Sequence, residues 1–263
     1  DDGDLDVVLA DWGEGNPMSN GGSPVRLWLN DGAGQFTEAT TLPTLAIGMS
    51  WDLELLDVEN DFDLDILVSC KMCEGSFLLH NDGTGTFVDA SDRLPAFGNN
   101  YEFEPMDLNG DGVLDVITIN DGPGLTEHIF LGDGSGGFTD ATDELWPAEA
   151  NIGGDDNVVA FLDFESDGDA DFIIGSLDRA DRVLLNDGSG GLSLLEGDAF
   201  TGATTRGTLG LAVADLNGDA RPDVVQSQGE LADPEKLFLG VDVDPDTAPP
   251  YIGPTRRAAE GPI

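Results

Sequence analysis

Asp107-Leu-Asn-Gly-Asp-Gly-Val-Leu-Asp115 is the most informative segment of this sequence. It places oxygen-bearing side chains at its first, third, fifth and ninth positions. Ca²⁺ takes roughly 6–8 oxygen ligands at about 2.3–2.6 Å, and alternate residues of a tightly wound loop can turn their oxygens to one centre. The stretch therefore predicts a calcium loop, whose ligands are the side chains of Asp107, Asn109, Asp111 and Asp115 and the backbone carbonyl of Val113.

The same pattern recurs along the chain. It reads DVENDFDLD over 57–65, DFESDGDAD over 163–171 and DLNGDARPD over 215–223. A fifth copy is cut by the chain start, where Asp2, Asp4 and Asp6 align with the last three acids of the copy at 57–65. The four complete loops start at 57, 107, 163 and 215, so the chain carries an internal repeat of 50 to 56 residues.

An EF-hand loop starts with the same alternate oxygens, but it does not fit this sequence. The twelfth position of the central copy is Thr118, where an EF-hand needs a bidentate Glu. Residues 115–119 are mostly β-branched and typical of a strand. We therefore expect each loop to lie between two strands, with the ninth-position Asp as the closing carboxylate.

A second marker repeats with the same period. Asn-Asp-Gly-x-Gly stands at 30–34, 81–85 and 186–190, and Gly-Asp-Gly-Ser-Gly at 132–136. Such sequences favour tight strand reversals, because Asn-Gly and Asp-Gly pairs accept positive φ values. Four short apolar runs per repeat surround the markers: 49–56, 65–69, 76–80 and 87–90, then 101–106, 115–119, 128–131 and 138–142, then 158–162, 171–175, 182–185 and 192–195. The predicted fold class is all-β, a β-propeller built of four-stranded antiparallel blades.

Both ends of the pattern are incomplete. The first unit has only its last three strands, near 6–10, 25–29 and 36–40, and the fifth only its first three, near 209–214, 223–226 and 236–239. We expect a propeller over 1–240 with three full and two partial blades, a Pro- and Asp-rich linker over 241–250, and the start of a following domain or a tail over 251–263. Either further blades lie upstream or the first and last pieces combine. The start inside a loop favours a part of a larger propeller.

The net charge and the cysteine content argue against several classes of function. The net charge is −43, with 53 acidic residues against 10 Lys plus Arg, which argues against nucleic acid as a partner. No apolar run approaches the roughly 18 residues of a membrane span. Cys70 and Cys73 form the only C-x-x-C, and no further Cys or His cluster completes a zinc site. They are expected to be a local disulfide or two free thiols.

Together these features resemble the FG-GAP/VCBS repeat family, β-propellers that include the integrin α-subunit head and many secreted bacterial proteins. The resemblance covers residues 1 to about 240 and is carried by the acidic loops, the apolar run after each, and the turn N-D-G-x-G-x-F at 30–36 and 81–87. It implies one Ca²⁺ per loop, up to five ions, held at the first, third, fifth, seventh and ninth positions. The implied ligands are Asp2, Asp4, Asp6, Asp57, Glu59, Asp61, Asp63, Asp65, Asp107, Asn109, Asp111, Val113, Asp115, Asp163, Glu165, Asp167, Asp169, Asp171, Asp215, Asn217, Asp219, Arg221 and Asp223.

Some loops depart from the family pattern. Phe62 and Ala220 stand at the sixth position, where Gly makes the sharp turn without strain. Glu59 and Glu165 stand at third positions where the shorter Asp or Asn is common. Arg221 offers only its carbonyl, and its charge opposes the ion, so its loop is expected to bind most weakly.

The leading functional hypothesis is a calcium-stabilised extracellular or cell-surface module that binds a protein or glycan partner, with the metal structural and not catalytic. The alternative is an accessory or catalytic propeller of a secreted polysaccharide-active enzyme. The sequence assigns no catalytic residue, since His80 and His128 fall near strands of different repeats. Among the tryptophans, Trp12 lies in a long Gly-rich loop and is a better candidate for a sugar-binding surface than Trp28, which alternates with apolar residues.

Overall fold

A computed structural model describes residues 3–16, 21–120, 122, 124–197, 199–200, 205–229 and 234–241. Within them the chain forms five consecutive antiparallel sheets, and each sheet uses a continuous stretch of sequence. The predicted ligand Asp2, the segment 251–263 and all but the first residue of the predicted linker at 241–250 lie outside the described residues.

The sheets follow one another in chain order. The first contains β1 (Val7–Leu9), β2 (Arg26–Asn30) and β3 (Phe36–Glu38). The second contains β4 (Leu53–Leu56), β5 (Asp65–Val68), β6 (Phe77–Asn81) and β7 (Phe87–Asp89). The third contains β8 (Asn100–Met106), β9 (Asp115–Asn120), β10 (His128–Gly132) and β11 (Phe138–Asp140).

The remaining two sheets repeat this plan. The fourth contains β12 (Asp156–Leu162), β13 (Asp171–Ser176), β14 (Arg182–Asn186) and β15 (Leu192–Leu194). The fifth contains β16 (Thr208–Ala214), β17 (Asp223–Gln228) and β18 (Lys236–Phe238). Two short helical turns, Ser91–Arg93 and Thr142–Leu145, follow the last strands of the second and third sheets.

The sheets pack as the blades of a propeller. The strands that enter the acidic loops, β4, β8, β12 and β16, lie side by side, and four apolar clusters fill the space between consecutive sheets. The cluster between the third and fourth sheets includes the fully buried Ile117 and Phe172. The predicted all-β propeller with four-stranded antiparallel blades is therefore confirmed.

Side chains also join the edges of neighbouring inner strands. Asp52 Oδ2 accepts a hydrogen bond from the Phe103 amide at 3.1 Å, and Glu102 Oε2 accepts one from the Val159 amide at 3.0 Å. Asp52 and Glu102 occupy equivalent repeat positions, five residues before their acidic loops. They give edge amides a partner that the sheet itself does not supply.

The first strand of the second sheet is shorter than the sequence indicates. The apolar run at 49–56 predicts a strand throughout, but β4 begins only at Leu53. Met49 has a φ of +56°, and the Ser69 hydroxyl accepts hydrogen bonds from the amides of Trp51 and Asp52. A side chain therefore accepts the amides at the start of this run, while the Asp52 and Met49 carbonyls still accept the backbone amides of Ser69 and Lys71.

Candidate metal centres

Each complete acidic loop joins the first and second strands of its sheet, so the four loops lie at equivalent places in successive blades. The fourth and sixth loop positions are left-handed in every copy: Asn60 (φ 58°), Phe62 (74°), Gly110 (73°), Gly112 (84°), Ser166 (58°), Gly168 (95°), Gly218 (81°) and Ala220 (63°). The sharp turn expected at the sixth position is confirmed, including the two copies that make it without glycine. Two left-handed residues bend the loop around its own carboxylates.

The first-position Asp organises the loop backbone. In the copy at 107–115, Asp107 accepts hydrogen bonds from the amides of Asp111 (3.0 Å) and Gly112 (2.9 Å). The same two bonds form from Asp57, Asp163 and Asp215 to the fifth and sixth amides of their loops. The fifth-position Asp then accepts the amide of the seventh residue in all four loops.

The ninth-position Asp ties the loop to the rest of its sheet. Asp115 is fully buried, and its Oδ2 accepts the Leu108 amide at 3.0 Å while its Oδ1 accepts the Gly132 amide at 2.9 Å. Asp65, Asp171 and Asp223 make the equivalent pairs of bonds. Asp6, in the truncated copy, accepts the Asn30 amide at 2.8 Å. This residue is thus a structural anchor between the loop and the third strand, as well as a predicted ligand.

Carboxylates of one loop lie close enough to repel one another. The pKa of Asp115 is raised to about 6, chiefly by burial and in smaller part by the charges of Asp111 and Asp107. Burial likewise raises the pKa of Asp171 to about 6, with Glu165 and Asp167 adding to the rise. A hard divalent cation among these oxygens would remove the repulsion.

The side chain at the seventh loop position contacts the following hairpin turn, which the sequence does not indicate. A Cβ added at Gly83 would lie 2.5 Å from Asp63 Oδ2, and one at Gly188 would lie 2.4 Å from Asp169 Oδ2. These carboxylates therefore lie against the glycine of the following hairpin turn. Val113 occupies the equivalent place beside Gly134, where a Cβ would lie 3.3 Å from one of its methyl groups. The seventh-position side chains of these three loops thus pack against the hairpin turn.

Glu59 is engaged outside its loop. Its Oε1 lies 2.8 Å from Arg93 Nη1 and 3.1 Å from His80 Nδ1, and His80 Nδ1 also lies 3.1 Å from Asp65 Oδ1. Glu59, Asp65 and His80 thus converge within 4.8 Å at the end of the loop. Because Arg93 neutralises part of this charge, the copy at 57–65 offers less negative charge to an ion than its five acids suggest.

The copy at 215–223 also holds a cation of its own. Arg221 Nη1 lies 3.4 Å from Asp219 Oδ2, and Asn217 Nδ2 donates to the same oxygen at 3.2 Å. This side-chain contact gives a physical reason for the expected weakness of this loop. The weak binding of calcium by this loop remains a prediction.

The donor set as a whole fits calcium. The loops at 107–115 and 163–171 contain three and five acidic residues with no Lys or Arg, and their first-, fifth- and ninth-position carboxylates accept backbone amides. Oxygen ligands in a tight loop are what Ca²⁺ prefers over softer metals.

The hairpin marker supplies residues that sequence reasoning treated only as turn formers. Asn81 donates through Nδ2 to the Leu64 carbonyl at 3.1 Å, and its Oδ1 accepts the Gly83 and Gly85 amides, each at 3.2 Å. Asn30 and Asn186 make the same contacts to Leu5 and Ala170. The repeated Asn-Asp-Gly signal therefore also marks a support for the eighth loop residue.

An aromatic cluster lies away from the acidic loops, at the opposite ends of the inner strands. Trp12 stacks on Trp51 with centroids 4.9 Å apart, and Trp51 contacts Tyr101 at 4.6 Å. Lys71 Nζ lies 4.3 Å from the Tyr101 centroid and donates to its hydroxyl at 3.3 Å. Trp51 is 42% exposed, whereas Trp12 is only partly exposed. Trp51 is thus the more accessible ring of the pair.

A disulfide supports this cluster. Cys70 and Cys73 are bonded, which decides between the two alternatives left by the sequence. Within that short ring, the amides of Lys71 and Met72 donate to the carbonyls of Met49 and Gly48. The disulfide therefore holds Lys71 on the segment that leads to Trp51.

The two histidines lie in different sheets and bind to acids there. His80 is on β6 beside Asp65 and Glu59, and His128 is on β10, where its Nδ1 lies 3.3 Å from Asp140 Oδ2 and its ring contacts Phe97 at 4.6 Å. These contacts place the two imidazoles in separate sites.

Comparison with known proteins gives a consistent result. The family model described as FG-GAP-like repeat matches three stretches of the chain, residues 1–68, 107–174 and 163–225. No curated protein matches the sequence. Within the described residues, no helix has the length and apolar character needed to cross a bilayer.

Proposed function

The chain belongs to the family of FG-GAP-like repeat proteins, and on that premise we propose that it is a calcium-binding propeller module of the extracellular space. The ions stabilise the blades and take no part in catalysis. One observation carries the proposal: the same arrangement of first-, fifth- and ninth-position carboxylates is built in four successive loops. Repeats of this family form propellers and occur typically in extracellular proteins.

The Cys70–Cys73 bond supports an extracellular location. Disulfides persist in oxidising compartments and are rare in the cytosol. The high net negative charge is also compatible with a medium that contains free calcium.

Calorimetric titration of the chelator-treated chain with Ca²⁺ tests the metal directly. We expect the loops at 107–115 and 163–171 to bind most tightly, because neither contains a basic residue. The copies at 57–65 and 215–223 should bind more weakly, since Arg93 and Arg221 occupy their carboxylates. Asp107→Ala should remove one tight site, whereas Asp143→Ala, an exposed acid outside the loops, should remove none. Absence of binding heat in the parent chain would reject the proposal.

The partner, a protein or a glycan, is proposed to bind at the aromatic cluster. The supporting observation is the exposure of Trp51, since large rings left in water on a rigid scaffold are typical of binding surfaces. Glycan arrays and pull-downs with Trp51→Ala should lose signal that Phe36→Ala retains, because Phe36 is comparably exposed (45%) but lies on β3. Equal signal from both variants would place the partner elsewhere.

An enzymatic role is the competing proposal, as an accessory or catalytic propeller acting on polysaccharides. The separate ion pairs of His80 and His128 favour structural roles for both residues. Turnover of a polysaccharide by the isolated chain would favour the enzyme instead.

A further inference from the structure

Two junctions between consecutive blades contain a buried polar contact at equivalent positions. The residue before the third strand of one sheet meets the first residue of the next sheet. Between the second and third sheets, Asn100 Nδ2 donates to Ser76 Oγ at 3.1 Å. Between the fourth and fifth sheets, Thr208 Oγ1 donates to the two carboxylate oxygens of Asp181 at 3.0 and 2.9 Å. In both junctions a neutral donor meets its acceptor.

The junction between the third and fourth sheets breaks this rule. Here the two equivalent residues are Glu127 and Asp156, and both are fully buried. Two carboxyl groups therefore face each other where the other junctions have a donor and an acceptor.

Arg182 pairs with Asp156 and not with Glu127. Arg182 Nη1 and Nη2 donate to the two oxygens of Asp156 at 3.2 and 2.9 Å. No N–H donor among the described residues reaches either oxygen of Glu127. Asn151 fixes only the Glu127 backbone, accepting its amide at 3.2 Å and donating to its carbonyl at 2.9 Å.

Other charged groups near the junction form ion pairs or hydrogen bonds with residues other than Glu127. His128, the next residue on the same element, is directed to Asp140. On the neighbouring loops, Asp178 pairs with Arg179 at 3.2 Å, and the Asp155 amide donates to Asp178. The charges that act on Glu127 are thus those of Asp156 on β12 and Arg182 on β14.

We propose that Glu127 is a protonated carboxylic acid in the folded protein and that its O–H group donates a hydrogen bond to the Asp156 carboxylate, which joins the third and fourth blades. The Arg182–Asp156 ion pair is then satisfied on its own, and no unpaired charge remains buried. Removal of the proton leaves two buried carboxylates facing each other beside one guanidinium. The junction therefore weakens when the pH is high enough to remove this proton.

The titration of Glu127 supports this arrangement. Burial raises its pKa well above the ordinary value, the charge of Asp156 and the hydrogen bond to it raise the pKa further, and Arg182 only partly lowers it. Below the pKa of an unfolded glutamate, about 4.3, both states hold the proton and stability is unaffected. From there up to the raised native pKa, the unfolding equilibrium constant grows about tenfold per pH unit.

Glu127→Gln separates this effect from all other titrations. Its amide donates a hydrogen bond to Asp156 without a proton to lose. The matched control is Glu149→Gln, which removes the same charge from an exposed position. Denaturant unfolding of the full chain at saturating calcium, from pH 5 to pH 9, should show Glu127→Gln gaining on the parent by up to about tenfold per pH unit, while the control stays parallel to the parent. Parallel curves for all three proteins would overturn the proposal.

A second measurement uses the parent chain alone and does not depend on how the variant folds. The ¹³C shift of the Glu127 side-chain carboxyl should report the protonated form at neutral pH. Titration of that carbon near the ordinary value of about 4.3 would overturn the proposal by itself.

Discussion

Chelation of calcium is expected to lower the melting temperature of the whole chain by about 10–20 °C. A site held at about 100 times its dissociation constant stabilises the folded state by about 2.7 kcal/mol, so two tight loops contribute about 5 kcal/mol. For a chain of this size, each kcal/mol shifts the melting temperature by about 2–4 °C. The repelling carboxylates at 107–115 and 163–171 are the physical source of the effect, because their repulsion remains when the ion leaves.

Calorimetric scans with excess calcium and with excess chelator make the comparison. Asp111→Ala should reduce the difference between the two scans, since one tight loop is lost, and Asp143→Ala should leave it unchanged. Identical midpoints for the parent protein in the two buffers would contradict a stabilising ion.

Asp115→Ala is expected to destabilise the protein by about 2–6 kcal/mol even in chelator. This carboxylate is buried and accepts the amides of Leu108 and Gly132. Truncation leaves both donors without their acceptor, at about 1–3 kcal/mol each. The loss is independent of metal because these bonds join the loop to β10.

The informative comparison is Asp111→Ala, a change in the same loop that removes the same charge from an exposed residue. In calcium both variants should melt below the parent, whereas in chelator Asp115→Ala alone should show a large deficit. Equal behaviour of the two variants in chelator would mean that Asp115 acts only as a ligand and not as an anchor.

Repetition made the fold predictable. Copies such as 57–65 and 107–115 fixed the period, and the apolar runs between them corresponded to the strands in the described sheets. The predicted strand at 49–56 was wrong in its first four residues, where a side chain takes part in the backbone pairing. At 51–52 the Ser69 hydroxyl accepts two amides that would otherwise bond to a strand backbone, and no local signal in that run indicates it.

The candidate site was predictable in its loops but not in its surroundings. The alternate oxygens of Asp107 and Asp111 can be read from spacing, because their partners are amides within a few residues. The engagement of Glu59 with Arg93 spans 34 residues, and it depends on how the short helical turn packs below the loop. The contact of Asn81 was equally unpredictable, since its partner is the Leu64 carbonyl in the acidic loop, 17 residues away in the chain.

The repeat, the calcium-type loops and the antiparallel blades could all be predicted from the amino-acid sequence, because each depends on residues that are near one another in the chain. Only the tertiary structure decided which carboxylates become anchors, which aromatic rings stack, and that Glu127 faces Asp156. Those contacts join residues of different strands and blades. Their energies depend on burial, and burial exists only once the sheets have packed.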